Sequence, residues 1–292
     1  MAAPVLRKIA RNLIKPFVPI ALDNYFSKNK NKQKQGVTTI SFDCDMPPDI
    51  DALPKLLELL NSHNIKSSFA CIGKWIEKDP RVHRNILDGG HEIINHTYSH
   101  PNSVFNDALF NKISEKEQKA EIVNFEKVCK KLLDYKPVGF RTPHLGNLHG
   151  QFVYPILEEL GYLYSSSTTL TQTKSYGLPY FPSKENFLVS GNRSYSVLEL
   201  PLMVCPEHYF PIFDSWHCFR SNPPAHAKAG AFFETFEKAV SMVTNHNAVG
   251  TFYFDPADVA NCKDFEDGLE FLCENKVRVK TCEWVARAWV KK

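Results

Sequence analysis

The chain has 292 residues with a 43% hydrophobic share, enough for one sizeable core, and a formal net charge of only +3. That near-neutral balance gives no basic surface of the kind nucleic acid requires, so no nucleic-acid partner is expected. Its eight cysteines (Cys44, Cys71, Cys129, Cys205, Cys218, Cys262, Cys273, Cys282) contain no C-x-x-C pair and read as reduced, mostly buried thiols. A disulfide framework and a thiolate zinc site are both excluded on that reading.

No apolar run is long enough to cross a bilayer. Leu6, Ile9, Leu13, Phe17 and Ile20 recur at three-to-four spacing, with Arg7, Lys8, Arg11 and Lys15 on the opposite face. Residues 1–20 therefore either lie on an anionic membrane surface or form a first helix docked on the protein's own core. Charges interrupt this stretch too often for a secretory signal, so a cytoplasmic location is expected, peripheral on the inner membrane face if the segment lies on lipid. Pro16 breaks or kinks the helix in either case. The polar run 27–36 (SKNKNKQKQG) reads as a linker, dividing a segment 1–36 from a domain 37–292.

Residues 37–43 (VTTISFD) predict a strand. Asp49 and Asp51 offer N-caps for a helix with Leu53, Leu56, Leu57 and Leu60 as its stripe and Pro54 in its first turn. A strand follows over 66–72, then a helix over 75–87 stopping at Gly89 and Gly90. His91 to Ile94 reads as a buried strand, and Ser114-x-x-Glu117 as a capping box opening a helix to Leu133. Further strands are expected at 139–144, 162–166, 197–204, 250–255 and 277–281. Helices are expected at 152–160, 227–245, 264–274 and 282–290, and 168–193 reads as an excursion or lid. Alternating strands and helices predict an α/β fold with a mainly parallel sheet, open or closed into a barrel.

Polar clusters sit at four strand ends: Asp43 and Asp45; His96 and His100; Arg141, Thr142, Pro143 and His144; and Asp255. In a parallel barrel those carboxyl ends converge on one face. His96 and His100 stand four residues apart, one helical turn if the segment winds, so both nitrogens would face one cation. A carboxylate plus two imidazoles suits zinc or a similar divalent ion with positions left for water. A further carboxylate off the metal would take a proton from that water.

These clusters resemble the motifs of the polysaccharide deacetylases that share the NodB homology domain (carbohydrate esterase family 4). Ser41-Phe42-Asp43-Cys44-Asp45 is similar to its first motif, His96-Thr97-Tyr98-Ser99-His100-Pro101 to its second and Phe140-Arg141-Thr142-Pro143 to its third. Asp214-Ser215-Trp216 is a looser match to the fourth. The resemblance runs from about Val37 to the last strands and implies a distorted (β/α) barrel, complete or incomplete. It implies that Asp45, His96 and His100 hold a divalent metal, zinc first, with cobalt, manganese or nickel as alternatives. Asp43 would be the general base, Arg141 its partner or a structural ion pair, and the His144 backbone N–H an oxyanion donor beside Pro143. Trp216 would line a sugar pocket or simply pack in the core.

The fifth motif departs from the family pattern, because Asp255-Pro256 stands where His-Pro is usual. A carboxylic acid is normally ionised at neutral pH. The proton donor would then be Asp255, with its pKa raised by burial or by Asp214 or Asp43. The alternatives are His144, His208, His217, or no donor at all. The implied activity is metal-dependent removal of an N-acyl group, N-acetyl first, from a sugar or polysaccharide precursor. Two alternatives remain: a deformylase or other hydrolase acting on a lipid-linked sugar or non-sugar amide, and an inactive carbohydrate-binding protein.

Overall fold

A computed structural model describes residues 15–29, 34–208 and 211–291. Its strands are β1 (Val37–Cys44), β2 (Ser68–Cys71), β3 (Glu92–Asn95), β4 (Gly139–Phe140), β5 (Tyr164–Ser165), β6 (Leu198–Glu199) and β7 (Val249–Phe254). All pair in parallel, in the order β6-β5-β4-β3-β2-β1-β7. Among the described residues the edges β6 and β7 approach through Leu202, which bridges to Thr251, while the Met203 N–H donates to the Thr251 carbonyl at 2.7 Å. The fold is therefore an α/β half-barrel whose carboxyl strand ends form one mouth.

The helices are α1 (Val18–Ser27), α2 (Pro47–Ser62), α3 (Gly73–Lys78), α4 (Pro80–Asp88), α5 (Glu115–Leu133) and α6 (Val153–Leu160). After them come α7 (Ala231–Asn245), α8 (Pro256–Val259), α9 (Lys263–Glu274) and α10 (Cys282–Val290). Every residue of β1 is buried, as expected for a parallel strand covered on both faces. Phe42, Phe69, Phe213, Phe232, Phe236, Phe252, Phe254 and Phe265 form a shared aromatic core beneath α2, α7 and α9. Each such ring contributes about 1.5–3 kcal/mol on leaving water.

Several elements differ from their sequence-based expectation. Helix α2 starts earlier, at Pro47, because Asp49 is not an N-cap; its Oδ2 accepts the Met46 N–H at 2.9 Å from within the first turn. Pro54 therefore lies inside the helix. The helix expected over 75–87 divides at Asp79, whose Oδ1 accepts the N–H groups of Arg81 and Val82 and so caps α4. The strand expected over 197–204 is regular only at Leu198–Glu199; Pro201 has no N–H for the ladder, and beyond it Leu202 and Val204 make isolated bridges. The strand expected over 277–281 is reduced to a Thr38–Val279 bridge.

Helix α1 docks on the core by a face other than the expected stripe, whose described members Phe17 and Ile20 are 65% and 58% exposed. Val18, Leu22, Tyr25 and Phe26 are buried in the main core. The Tyr25 hydroxyl donates to the Leu170 carbonyl at 2.8 Å, and Phe26 stacks on His246. Gly177 (φ +81°) passes so close that a Cβ there would stand 2.3 Å from the Phe26 ring. Residues 18–27 are thus seated on the domain expected to begin at residue 37. Leu6, Ile9 and Leu13 lie outside the described residues, and no helix among the described residues is long and apolar enough to cross a membrane. The excursion 168–193 reaches both ends of the strands: its Gly177 carbonyl accepts the N–H of Val249, the first residue of β7, while Phe187 packs 5.5 Å from the His149 ring, whose Nδ1 meets Thr142 Oγ1 beyond β4.

Candidate active site

Strand β3 ends at Asn95, and the segment beyond it does not wind into a helical turn. Thr97 (φ 68°) and His100 (φ 49°) are both left-handed, a conformation that costs a side-chain-bearing residue energy unless the surroundings impose it. Here they do: Asn95 Oδ1 accepts the Thr97 N–H at 2.8 Å and Thr97 Oγ1 accepts the His100 N–H at 3.1 Å. The Gly73 N–H, just past the end of β2, donates to the Thr97 carbonyl, and a Cβ on Gly73 would stand 2.8 Å from the Tyr98 ring. The expected convergence of His96 and His100 is real, but turns rather than helical spacing produce it.

Both imidazoles meet Asp45, just past β1. His96 Nε2 lies 3.3 Å from Asp45 Oδ1, and His100 Nε2 lies 3.4 Å from Asp45 Oδ2. The His96 Nδ1–H donates to the Arg141 carbonyl at 2.8 Å, which turns the Nε2 lone pair towards Asp45. Buried polar atoms are ordinarily hydrogen-bonded. Asp45 Oδ1, His96 Nε2 and His100 Nε2 are buried without such a partner. Burial acts to raise the Asp45 pKa, but the charges of His100 and His96 outweigh it and hold the carboxyl well below the usual range. Two orphaned imidazole nitrogens and an ionised carboxylate fit a divalent cation. The Asp45 side chain keeps 26% exposure, so the group opens towards solvent.

Behind it, the guanidinium of Arg141 is fully buried and pairs with Asp43. It also donates to Ser41 Oγ (2.8 Å), Ser166 Oγ (3.2 Å) and the Ser166 carbonyl (3.1 Å), and lies over the Tyr253 ring. Asp43 Oδ2 stands 3.9 Å from His96 Nε2, beside the metal-type group. Pro143 is buried, and His144, left-handed at φ 56°, packs its ring 4.6 Å from that of His100.

The other side of the mouth differs from expectation. Asp255 is ion-paired with Arg220, which also reaches Asp258 at 3.1 Å. Such a partner favours the carboxylate over the acid. Asp214 instead is held by the Tyr253 hydroxyl at 2.7 Å and the His217 N–H at 2.6 Å. Burial raises its pKa to about 6, against the lowering effect of those two hydrogen bonds. The Asp255 N–H donates to Ser215 Oγ at 2.8 Å, joining the two segments. Trp216 is not core: it is 57% exposed. His208 and His217 are gathered with Cys205 and His226 rather than with the first metal-type group.

Tyr253 and Arg220 went unread in the sequence. Tyr253 was accessible, since it pairs in register with Ser41 and period-two alternation then puts it on the face of Asp43. Arg220 carried no local signal.

The fold and this group of side chains define a parallel α/β half-barrel with a divalent-cation-type site at its mouth. Residues 30–165, just under half of the chain, match the family model for polysaccharide deacetylase. A peptidoglycan-N-acetylglucosamine deacetylase of Bacillus cereus is 35% identical over 119 residues, which span 41% of this chain and 39% of that protein. A crystal structure assigned as a polysaccharide deacetylase from Mycobacterium smegmatis aligns with TM-score 0.69 at 18% identity, covering 89% of this chain and 92% of that one. An allantoinase (Puue) aligns with TM-score 0.69 at 12% identity, covering 90% and 95%. At those identities the structural likeness is one of fold.

Proposed function

We propose that the chain is a metal-dependent hydrolase that removes an N-acyl group, N-acetyl first, from a sugar or polysaccharide precursor. The observation that carries this reading is Asp43 held by buried Arg141 beside an orphaned Asp45–His96–His100 group. Asp45, His96 and His100 would hold the cation, with zinc the best match to one carboxylate and two imidazoles and cobalt, manganese or nickel able to replace it. When bound, the cation polarises the attacking water and the amide oxygen.

Asp43 takes the proton from that water at its Oδ2, the oxygen facing His96. Arg141, itself fixed by Ser41 and Ser166, holds Asp43 in place through their ion pair. The His144 N–H, next to Pro143, supports the developing oxyanion. The leaving amine needs a proton, and Asp255 is committed to Arg220. Asp214 and Asp49 are both pushed up to about 6 by burial, and we assign the donor role to Asp214 because it alone of the two contacts the Tyr253 hydroxyl, which relays the proton. Exposed Trp216 offers a flat apolar face to a sugar ring.

The Arg220–Asp255 pair favours one second reading, a carbohydrate-binding protein without turnover. Acyl release from N-acetylated and N-formylated oligosaccharides, with zinc or cobalt restored, separates the two. Acetate or formate release lost in Asp43→Asn supports the hydrolase, while saccharide binding with no release under any divalent metal supports the binding protein.

A further inference from the structure

We infer that the chain carries a second metal centre, a closed structural site formed by Cys205, His208, His217 and His226. One ligand atom from each, a thiol sulfur and three imidazole nitrogens, lies within 4.8 Å of all the others. Cys205 Sγ is 3.2 Å from His208 Nδ1 and 3.3 Å from His226 Nε2, and His208 Nδ1 is 3.1 Å from His217 Nε2. Bond lengths of about 2.0–2.1 Å to nitrogen and 2.3 Å to sulfur give a tetrahedron with edges of roughly 3.3–3.6 Å around zinc. The observed separations are close to those edges.

Hydrogen bonding alone accounts for the group poorly. His208 Nδ1 approaches both a thiol sulfur and a second imidazole nitrogen, yet one ring nitrogen offers either one proton or one lone pair. A single cation satisfies all four atoms together. The outer partner agrees: His226 Nδ1 lies 3.2 Å from Thr235 Oγ1, whose own proton goes to the Ala231 carbonyl at 2.8 Å. Thr235 therefore accepts from His226 Nδ1–H, which leaves the Nε2 lone pair facing the group, the arrangement that orients metal-bound histidines. Cys205 and His226 are buried, and four protein donors leave no position for substrate, which is the mark of a structural zinc site.

The location gives it a task. His217 follows exposed Trp216 directly, and its N–H holds Asp214. His226 ties the same segment to α7 through Thr235. A cation at these four residues pins the loop that presents Asp214 and Trp216 to the mouth, a segment with little regular structure of its own. The spacing C-x2-H-x8-H-x8-H was visible in the sequence, and Cys205 is not the inert thiol expected there.

The test uses the full chain, stripped of metal and reloaded with zinc alone, then with cobalt alone. Wild type should bind about two equivalents, and His96→Ala, which disables the first site, should keep one. The cobalt form of both should carry a sulfur-to-cobalt charge-transfer band in the near ultraviolet. Cys205→Ser should lose one equivalent and the band. His217→Asn, at a half-buried position, should lose the same equivalent with unchanged circular dichroism, which guards against misfolding of the cysteine variant. A wild-type protein with one equivalent and the band would remove the first site and support this one. Absence of the band in wild type, or unchanged metal content in both Cys205→Ser and His217→Asn, would overturn the proposal.

Discussion

The two sides of the mouth are built in different ways. The side formed by β1, β3 and β4 places Asp43, Asp45, His96, His100 and Arg141 within a residue or five of strands whose pairing fixes them. Its central ion pair is fully buried and satisfied from several directions. The side formed by 205–226 and the end of β7 hangs on a long irregular segment, and its ion pair is far more open, with Arg220 46% exposed. The difference teaches that Asp43 and the metal-type group come with the fold, whereas the side to which we assign the proton donor is a local construction that can vary without disturbing the sheet.

The largest expected effect falls on the first side. Asp43→Asn should lower kcat/KM by about 10²–10⁴-fold with metal content unchanged, read by acetate release and metal analysis. A similar loss in Asp255→Asn but not in Asp214→Asn would reverse our assignment of the donor. The ion pairs should separate the sides next. Arg141→Leu leaves a buried charge unpaired and should cost about 3–5 kcal/mol in denaturant unfolding. Arg220→Leu, at an exposed position, should cost about 0–1 kcal/mol. Equal costs would erase the distinction.

Asp214 gives a pH test. Its folded pKa of about 6 lies above the usual carboxylate value, so the stability it contributes is whole in acid and is lost as pH rises through about 6. As proton donor it must be protonated, so activity should fall over the same interval. Asp214→Asn should remove both dependences, checked by a pH–rate profile alongside thermal unfolding. The smallest stability effect belongs to Tyr253→Phe, although loss of the relaying hydroxyl should also lower kcat. Its hydroxyl stabilises the Asp214 carboxylate, so the variant should move the limb above 6 and cost about 0.5–1.5 kcal/mol.

The legibility of the sequence divides along the same line. The motifs around Asp43, His96 and Arg141 were readable because each sits at a strand end, where parallel pairing converts sequence position into a place on the mouth. The turn at Thr97 and His100 was not, because left-handed conformations there are imposed by Asn95 and the approach of Gly73 rather than by residue type. Arg220 and the grouping of Cys205 with three histidines depend on how an aperiodic segment folds back on α7. Periodicity carries no information about such packing, although the histidine spacing itself was on view. The stretch 168–193 reads as an excursion or lid from its composition alone, which does not say what it packs against.

The most direct test of the central claim is acyl release by the full chain on N-acetylated oligosaccharides, followed as zinc is titrated into metal-free protein, in wild type and His96→Ala. The account expects acetate release that rises with the cation at Asp45, His96 and His100 and is lost in the variant. Metal bound at those residues with no release from any amide would contradict it.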